Sequence, residues 1–306
     1  MITATNLSKK FGSKHALKPI TFSVGTGEVL GLLGANGAGK TTTMRLLATI
    51  LEPTTGSIEI QGLNLQQNPD KVRAMVGYLP EKPPLYDDLT VGEYLQFVAE
   101  MRGVENPRQR LSIVLEQVGL LGWEQRVIKV LSKGYRQRVG LAQAIVHDPA
   151  VLLLDEPNSG LDPSQIVGMR RFLTDMAAER TVIVSSHILG EMNQLCSRHI
   201  ILNHGEIAAQ GTMAELQEEF GGQYLNFRIR NPQGISWLKA CSELSFVAHL
   251  SLQPLESDLE SVHVTMVPTD QHLLMDWIVS QGLEIVECQW ASKSLEQIFL
   301  EIVGAE

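Results

Sequence analysis

The fold is decided by the stretch Gly34-Ala35-Asn36-Gly37-Ala38-Gly39-Lys40-Thr41, which is a glycine, four residues and then Gly-Lys-Thr. An apolar run of strand length, Val29 to Leu33, precedes it. Apolar residues at helical spacing follow it, namely Leu46, Leu47, Ile50 and Leu51. The order strand, glycine-rich loop, helix predicts a phosphate-binding loop.

Each residue type in this loop suits that chemistry. Gly34, Gly37 and Gly39 have no Cβ, so the backbone can adopt dihedrals that point several N–H groups inward. The N-terminus of the following helix adds a partial positive charge. We expect Lys40 to contact the β- and γ-phosphates and the Thr41 hydroxyl to bind Mg²⁺. A glycine-rich turn without a ligand is the alternative, and the flanking strand and helix argue against it.

Length and charge restrict the function classes. A chain of 306 residues favours two domains, and 44% hydrophobic residues support a packed core. The net charge of −9 and the pI of about 5.4 argue against a general nucleic-acid binder and against electrostatic attachment to anionic lipid. Any association with a membrane is therefore expected to run through a protein partner.

The cysteines and the apolar runs indicate a cytosolic chain. Cys196, Cys241 and Cys288 lie far apart and include no CxxC pair, which favours reduced thiols over a metal site or disulfides. Lys9 and Lys10 interrupt any apolar run near the N-terminus, so no signal peptide is predicted. No stretch approaches the roughly twenty apolar residues of a membrane span.

A second strand ends in two acidic residues. Val151 to Leu154 are apolar and are followed by Asp155 and Glu156, which predicts a buried parallel strand ending at its carboxyl edge. Ligands bind at that edge in open α/β sheets. We expect Asp155 to hold Mg²⁺ through water and Glu156 to orient or deprotonate an attacking water. The alternative is a pair of structural carboxylates that cap a turn.

Other segments add to the predicted site. Val182 to Ser186 predict another strand of the same sheet, and His187 at its end is expected to contact the γ-phosphate rather than to be a structural histidine. Phe11 is either an adenine-stacking aromatic or a buried core residue, and its position alone favours neither. Met1 to Ser8 predict an edge strand, and residues 200–211 predict a hairpin that completes the domain.

The middle of the domain is predicted to be helical. Thr90 and Glu93 form a capping-box pattern that opens one helix, and Ser132 is a candidate cap for another. Residues from about 84 to 148 are therefore expected to form a mostly helical insert between strands of the first domain. Taken alone, the segment after Ser132 does not exclude an ordinary capped helix without a functional role.

Taken in order, these motifs resemble the nucleotide-binding subunit of an ATP-binding-cassette (ABC) transporter over about residues 1–220. Gly34–Thr41 matches the Walker A motif, and Val151–Glu156 matches the Walker B motif. Leu131–Tyr135 lies where the family has Leu-Ser-Gly-Gly-Gln, and Ser159–Asp162 matches the D-loop. His187 matches the switch histidine, and Phe11 matches the adenine-stacking aromatic.

The resemblance implies an α/β fold of the P-loop NTPase class, with a RecA-like core, an antiparallel β subdomain and a helical signature subdomain. It implies catalytic roles for Glu156, His187 and Lys40, and magnesium contacts from Thr41, Asp155 and Glu81. The nucleotide contacts that it implies are Phe11, Gly34, Asn36, Gly37, Ala38, Gly39, Lys40, Thr41, Thr42, Glu81, Ser132, Gly134 and Asp162.

The resemblance also implies partners and a mechanism. Two copies would face head to tail and enclose two ATP molecules, each touching Lys40 of one chain and Ser132 and Gly134 of the other. ATP binding would close the pair and hydrolysis would release it. The cycle would drive separate membrane permease subunits, with this chain on the cytoplasmic face of the cell membrane.

The sequence departs from the family pattern at four positions. Glu81 replaces the usual glutamine of the Q-loop; it retains an oxygen for Mg²⁺ but cannot donate an amide hydrogen bond. Lys133 and Tyr135 replace the third and fifth signature residues, and Lys133 is expected to bring positive charge towards the partner's ATP. Asn158 stands where threonine is common, and no function is attached to it. Glu81 and the Leu-Ser-Lys-Gly-Tyr signature resemble the bacterial ABC-2-type export branch, which includes drug, sodium, lipid and gliding-associated exporters.

Residues 223–306 predict a second, α+β domain after the glycine pair Gly221-Gly222. Alternating residues from Leu225 to Ile229 indicate a half-buried strand. The predicted order β-α-β-β-α-β is that of a ferredoxin-like unit, with its first helix over 235–244. A last helix opens with a Ser294–Gln297 capping box, and this tail resembles the C-terminal extension of ABC-2-type cassettes. We expect it to regulate the cassette or to stabilise a dimer.

Two other functions remain open from the sequence. One is a soluble ABC ATPase of translation or DNA repair, against which stand the single cassette and the lack of sustained heptads. The other is a nucleotide-gated binding module with little turnover. The sequence does not identify the transported substrate.

Overall fold

The structure, a computed structural model, describes residues 1–220, 223–231, 237–254, 259–266 and 268–304. The backbone divides into two compact units. The first unit contains Met1–Met213 together with the chain from Phe299 onward, and the second unit is Ala214–Ile298. The division therefore falls after Met213, before the predicted glycine-pair boundary, and Gly221-Gly222 lie outside the described residues. Within the described part of the chain, no helix is long and apolar enough to cross a membrane.

The first unit contains ten strands and seven helices among the described residues. The strands are β1 (Ile2–Phe11), β2 (Lys14–Val24), β3 (Val29–Gly34), β4 (Thr55–Ile60), β5 (Leu63–Asn64), β6 (Val76–Leu79), β7 (Val151–Asp155), β8 (Thr181–Ser185), β9 (Arg198–Asn203) and β10 (Glu206–Gly211). The helices are α1 (Lys40–Leu47), α2 (Pro69–Ala74), α3 (Val91–Met101), α4 (Pro107–Gln117), α5 (Lys133–Ile145), α6 (Pro163–Ala177) and α7 (Leu189–Leu195).

The central sheet has the order β10-β9-β3-β8-β7-β6 and positions the predicted site. Strands β3, β6, β7, β8 and β9 pair in parallel, and β10 pairs antiparallel with β9, as the predicted hairpin requires. Every residue of β3, β7 and β8 is buried, which is why these strands are continuous apolar runs rather than alternating ones. Their carboxyl ends meet at one edge, so the residues that follow them are brought together.

The N-terminal strand is not at an edge, and this prediction is wrong. Strand β1 pairs with both β2 and β4 in a second, antiparallel sheet of order β2-β1-β4-β5. Strand β2 supplies the missing neighbour: its Leu17, Ile20, Phe22 and Val24 are buried and alternate with exposed residues over its second half. This sheet is the antiparallel β subdomain that the resemblance implied.

Helix α1 is shorter than its apolar pattern predicted. It ends at Leu47, and Thr49 has φ of 63°, a left-handed conformation that stops the helix. The amides of Ile50 and Leu51 both bond back to the Arg45 carbonyl. Ile50 consequently lies on the surface, 58% exposed, instead of continuing the buried stripe.

The helical insert is present as predicted. Helices α3, α4 and α5 lie between β6 and β7 in the chain. Thr90 and Glu93 form the complete capping box at the start of α3, and Ser132 is the N-cap of α5. The apolar faces of these helices are buried, including Leu95, Val114 and Val139.

The second unit begins within α8 (Met213–Glu219) and contains a four-stranded antiparallel sheet of order β12-β13-β11-β14. Its further elements are β11 (Gln223–Arg230), α9 (Leu238–Ser242), β12 (Val247–Pro254), β13 (Leu259–Met266), α10 (Gln271–Ser280), β14 (Glu284–Ser292) and the start of α11 (Leu295–Val303), which belongs to the first unit from Phe299 onward. The order β-α-β-β-α-β and this strand order confirm the ferredoxin-like prediction. The predicted start of its first helix at Ile235 lies outside the described residues. The Ser294–Gln297 capping box is formed.

Strand β11 carries the core of the second unit, which gives a test of the two-unit division. Leu225, Phe227 and Ile229 are fully buried. We expect Phe227→Ala to destabilise this unit by about 3–5 kcal/mol, because a large aromatic side chain leaves a cavity. Scanning calorimetry should show the loss in one of two transitions, while the transition of the first unit stays in place. Leu153→Ala in β7 is the matched variant and should lower the transition of the first unit instead.

Candidate functional site

The phosphate loop joins the buried end of β3 to α1. Gly37 and Gly39 have φ of 82° and 112°, values that favour glycine. At Gly34 a Cβ would lie 2.6 Å from the Leu202 carbonyl oxygen of the neighbouring strand, so glycine is needed there for space as well. Asn36 and Gly37 are exposed, whereas Ala38, Gly39 and Lys40 are buried. The loop therefore presents its tip to solvent on a rigid base.

Lys40 is held inside the loop. Its ammonium Nζ donates to the carbonyl oxygens of Gly34, at 2.6 Å, and Ala35, at 3.2 Å. Burial lowers the pKa of Lys40, and the negative charges of Glu156, Asp155 and Glu81 oppose that shift. The ammonium thus lies within electrostatic reach of all three carboxylates that were predicted to contact the ATP and its metal ion.

Asp155 is the last residue of β7 and is 2% exposed. One of its carboxylate oxygens, Oδ1, accepts a hydrogen bond of 2.6 Å from the Ser185 hydroxyl at the end of β8. Sequence reasoning missed Ser185, although its register opposite Asp155 in the parallel pair is the signal that identifies it. Ser185 fixes one carboxylate oxygen and leaves the other for a ligand.

Glu156 and His187 form a contact pair. Glu156 has φ of 52°, and its amide lies 3.1 Å from both the carbonyl and the hydroxyl oxygen of Ser185. Its carboxylate oxygen Oε2 is 2.7 Å from Nδ1 of His187. A carboxylate accepts hydrogen bonds only, so Nδ1–H donates and Nε2 faces away from this contact. The left-handed backbone turns Glu156 out of the strand direction and towards the histidine.

Three oxygen donors suit Mg²⁺. Thr41 is exposed in the first turn of α1, Glu81 is exposed beyond the end of β6, and Asp155 ends β7. Within the described residues, no group of three His, Cys, Asp or Glu side chains is arranged to hold a metal ion. A hard cation bound at these donors would share its other positions between phosphate oxygens and water, which is the usual arrangement for Mg²⁺. The donor chemistry therefore fits the ion.

The signature segment opens α5. The Ser132 hydroxyl accepts from the Tyr135 amide at 3.5 Å, and both Ser132 and Lys133 are exposed. Tyr135 stacks on Trp123, with ring centroids 3.9 Å apart and an interplanar angle of 25°. The tyrosine that replaces the family's glutamine therefore packs within its own chain. Trp123 could not be predicted as its partner because twelve residues separate them.

Asp162 and Gly134 lie at a neighbouring pair of helix starts. Asp162 caps α6, where its Oδ1 accepts from the Gln165 amide at 2.9 Å. The Asp162 amide donates to Oε1 of the Gln165 side chain at 3.2 Å, which completes a capping box. A Cβ at Gly134 would lie 2.7 Å from Oε1 of the same Gln165. The signature segment and the D-loop are thus packed together in one chain.

Phe11 lies at the end of β1 and is 50% exposed. The structure therefore excludes the buried-core alternative. The Lys9 ammonium lies 5.2 Å from the centre of its ring.

Thr42 is half-buried one residue beyond Thr41, in the first turn of α1. Apart from Phe11, the predicted residues consequently fall into two groups: the phosphate loop with its carboxylates and His187, and the signature segment with the D-loop.

The family model described as "ABC transporter" matches residues 17–159. The chain is 33% identical to the "Bacitracin transport ATP-binding protein BcrA" of Bacillus licheniformis, over 99% of this chain and 97% of that protein. It is 31% identical to the "Linearmycin resistance ATP-binding protein LnrL" of Bacillus subtilis, over 99% of this chain and 98% of that protein. A solved structure described as the dimeric structure of MJ0796, a bacterial ABC transporter cassette, superposes with a TM-score of 0.64 at 25% identity, covering 70% of this chain and 99% of that chain.

These similarities extend over the whole length of the relatives, and the geometry of the site agrees with them. The phosphate loop joins a strand to a helix, Asp155 is buried at the end of β7, and Glu156 contacts His187. The chain belongs to the ABC transporter family, in which it is an ATP-binding, ATP-hydrolysing subunit.

Proposed function

We propose that this chain uses Mg²⁺ and ATP to power a bacterial ABC-2-type exporter through separate permease subunits. The observation that carries the proposal is the 2.7 Å contact between Glu156 and His187 beside the buried Asp155, at the carboxyl edge of the sheet whose strand β3 leads into the Lys40 loop. Its relatives include proteins named for bacitracin transport and linearmycin resistance, which supports export of a substrate rather than a role in translation or repair. The substrate itself would be selected by the permease.

The chemistry assigns one task to each residue. Lys40 leaves its carbonyl partners and neutralises the β- and γ-phosphates, while the loop amides bind the same oxygens. The Glu156 carboxylate accepts a proton from the attacking water, and His187 holds that carboxylate and contacts the γ-phosphate. Thr41, Asp155 and Glu81 would hold Mg²⁺, which would supply positive charge to neutralise the phosphates. Phe11 stacks on the adenine ring.

A second copy completes the ATP site in this proposal. The first turn of α5, opened by Ser132, offers N–H groups that bind phosphate oxygens well. Ser132 is exposed and so can meet an ATP molecule held by another chain. The dimeric cassette among the solved structures supports this arrangement. We expect the pair to lie on the cytoplasmic face of the cell membrane.

An exposed apolar surface of the helical insert is suited to a permease. Tyr86, Phe97 and Met101 are 56%, 44% and 66% exposed, and the ring centres of Tyr86 and Phe97 are 5.9 Å apart. Ile50 lies on the wall of an adjacent cavity with Pro84 and Arg102. We call Ile50, Tyr86, Phe97 and Met101 the aromatic surface. Its apolar character matches a protein partner better than it matches lipid headgroups or nucleic acid.

The test is recovery of the permease. A tagged chain isolated from membranes of its own organism should retain a protein with several membrane-spanning segments. Phe97→Glu with Met101→Glu should abolish that recovery while ATPase activity of the purified chain stays within about twofold, because neither residue is part of the ATP site. Leu121→Glu, at a 61% exposed position elsewhere on the insert, is the matched control. Recovery of ribosomes or DNA-repair proteins instead would contradict the proposal.

A further inference from the structure

Lys133, which replaces a small residue of the family signature, does not extend freely into solvent. Its ammonium lies 3.1 Å from the Ser159 hydroxyl of the D-loop, 26 positions along the chain. Its aliphatic stem lies over Gly160: a Cβ at Gly160 would be 2.5 Å from Cδ and 2.8 Å from Cε of the lysine. Gly160 therefore leaves the space that the lysine stem occupies.

A second contact links the same two segments. Gly134 packs against the Gln165 side chain, and Gln165 is held by the capping box of Asp162 at the start of α6. One contact is thus made by the side chain of Lys133 and the other by the backbone that follows it. Together they connect the start of α5 to the D-loop at two points.

We propose that Lys133 is a positioning residue that clasps the signature segment to the D-loop of its own chain. We call the Lys133–Ser159 hydrogen bond, with the lysine stem over Gly160, the clasp. The proposal rests on the proposed function, because the clasp matters only if the signature segment and D-loop of one chain meet the ATP held by another.

The clasp makes these two segments one preformed surface. Without it, the helical insert that carries Ser132 and the D-loop would have to be ordered separately when a second chain closes over ATP. A preformed surface avoids that entropic cost, so less ATP is needed to close the pair. The clasp should therefore act on the ATP concentration that half-saturates the ATPase and much less on the chemical step.

A double-mutant cycle tests this coupling. Lys133→Met keeps the stem over Gly160 but removes the ammonium, and Ser159→Ala removes the hydroxyl. Each should raise the half-saturating ATP concentration about three- to tenfold, the range of a hydrogen bond to a charged group at a partly exposed site. The double variant should be no worse than either single variant, since all three remove one interaction. The maximal rate should change less than twofold.

Two variants separate positioning from general disruption. Ser159→Thr keeps the hydroxyl and should restore the wild-type value. Lys129→Met removes another exposed lysine of the helical insert, whose ammonium lies 3.5 Å from Asp88, and should leave the half-saturating ATP concentration unchanged. In nucleotide-free protein, amide hydrogen exchange in the D-loop should quicken in Lys133→Met and Ser159→Ala but not in Lys129→Met.

Additive effects of the two substitutions, or a Ser159→Ala variant that behaves as wild type, would overturn the clasp. In the second case Lys133 would act on the partner's ATP alone. Either result leaves the proposed function intact, because the wild-type chain still hydrolyses ATP. A wild-type chain without ATPase activity would overturn the proposed function and, with it, the role given to the clasp.

Discussion

Glu156→Gln should bind ATP about as tightly as the wild-type chain and hydrolyse it at least about a hundredfold more slowly. The substitution keeps the size of the side chain but removes the carboxylate that we propose takes the proton of the attacking water, and a lost general base costs about a hundredfold or more. Binding should persist because Lys40 and the loop amides, to which we assign phosphate binding, are unchanged. ATP affinity by calorimetry and phosphate release under saturating Mg-ATP give the two quantities.

The control for this variant is Glu179→Gln, which makes the same chemical change at an exposed position between α6 and β8. It should hydrolyse ATP at the wild-type rate. If Glu156→Gln also turns over at the wild-type rate, another group deprotonates the water and the role given to Glu156 is wrong. A variant that loses ATP affinity instead would place Glu156 in phosphate or metal binding.

Lys40→Ala should lose affinity and turnover together. Lys40 is the lysine of the phosphate loop, and its ammonium is buried among the loop's own carbonyl groups. Without it, no ammonium of the loop would neutralise the negative charges of the ATP phosphates. Loss of a charge-assisted contact of this kind weakens binding by at least about tenfold, and by about a hundredfold where water is excluded. Titration with ATP and a steady-state ATPase assay measure the two losses.

Lys18→Ala is the matched control, because it removes the ammonium of a lysine that pairs with Glu206 at the surface, outside the phosphate loop. It should leave both quantities within about twofold of the wild type. A Lys40→Ala chain that binds ATP normally would show that the loop amides alone hold the nucleotide. Circular dichroism of both variants should match the wild type, so that a loss of binding is not a loss of the fold.

The sequence was sufficient for the parts of the site that short-range chemistry fixes. A glycine-rich loop, a lysine and a strand that ends in two acids each carry their function in adjacent residues. The parallel sheet then brings Lys40, Asp155 and Glu156 to one edge, because carboxyl ends of parallel strands meet. The β-α-β-β-α-β order of the second unit followed from periodicity, whereas the P-loop NTPase fold class was implied by the resemblance of the ordered motifs to ABC cassettes.

Other features depend on neighbours that no local pattern reveals. The edge position predicted for β1 was wrong because the alternation in β2 went unrecognised, and with it a second pairing partner. The apolar pattern of α1 continued past its end because the left-handed Thr49 is set by the tertiary fold. Ser185, Trp123 and the contact of Lys133 with Ser159 join residues distant in the chain, so only the structure locates them.

Two copies of this chain are proposed to hold ATP between them. The molecular mass of the Glu156→Gln variant in solution tests this dimer most directly. This variant should accumulate the ATP-bound dimer because it binds ATP but hydrolyses it very slowly. Light scattering with saturating Mg-ATP should give twice the 33.8 kDa of one chain, and Lys40→Ala should show no ATP-dependent increase. A Glu156→Gln chain that binds ATP fully yet remains a single copy at high protein concentration would contradict the claim.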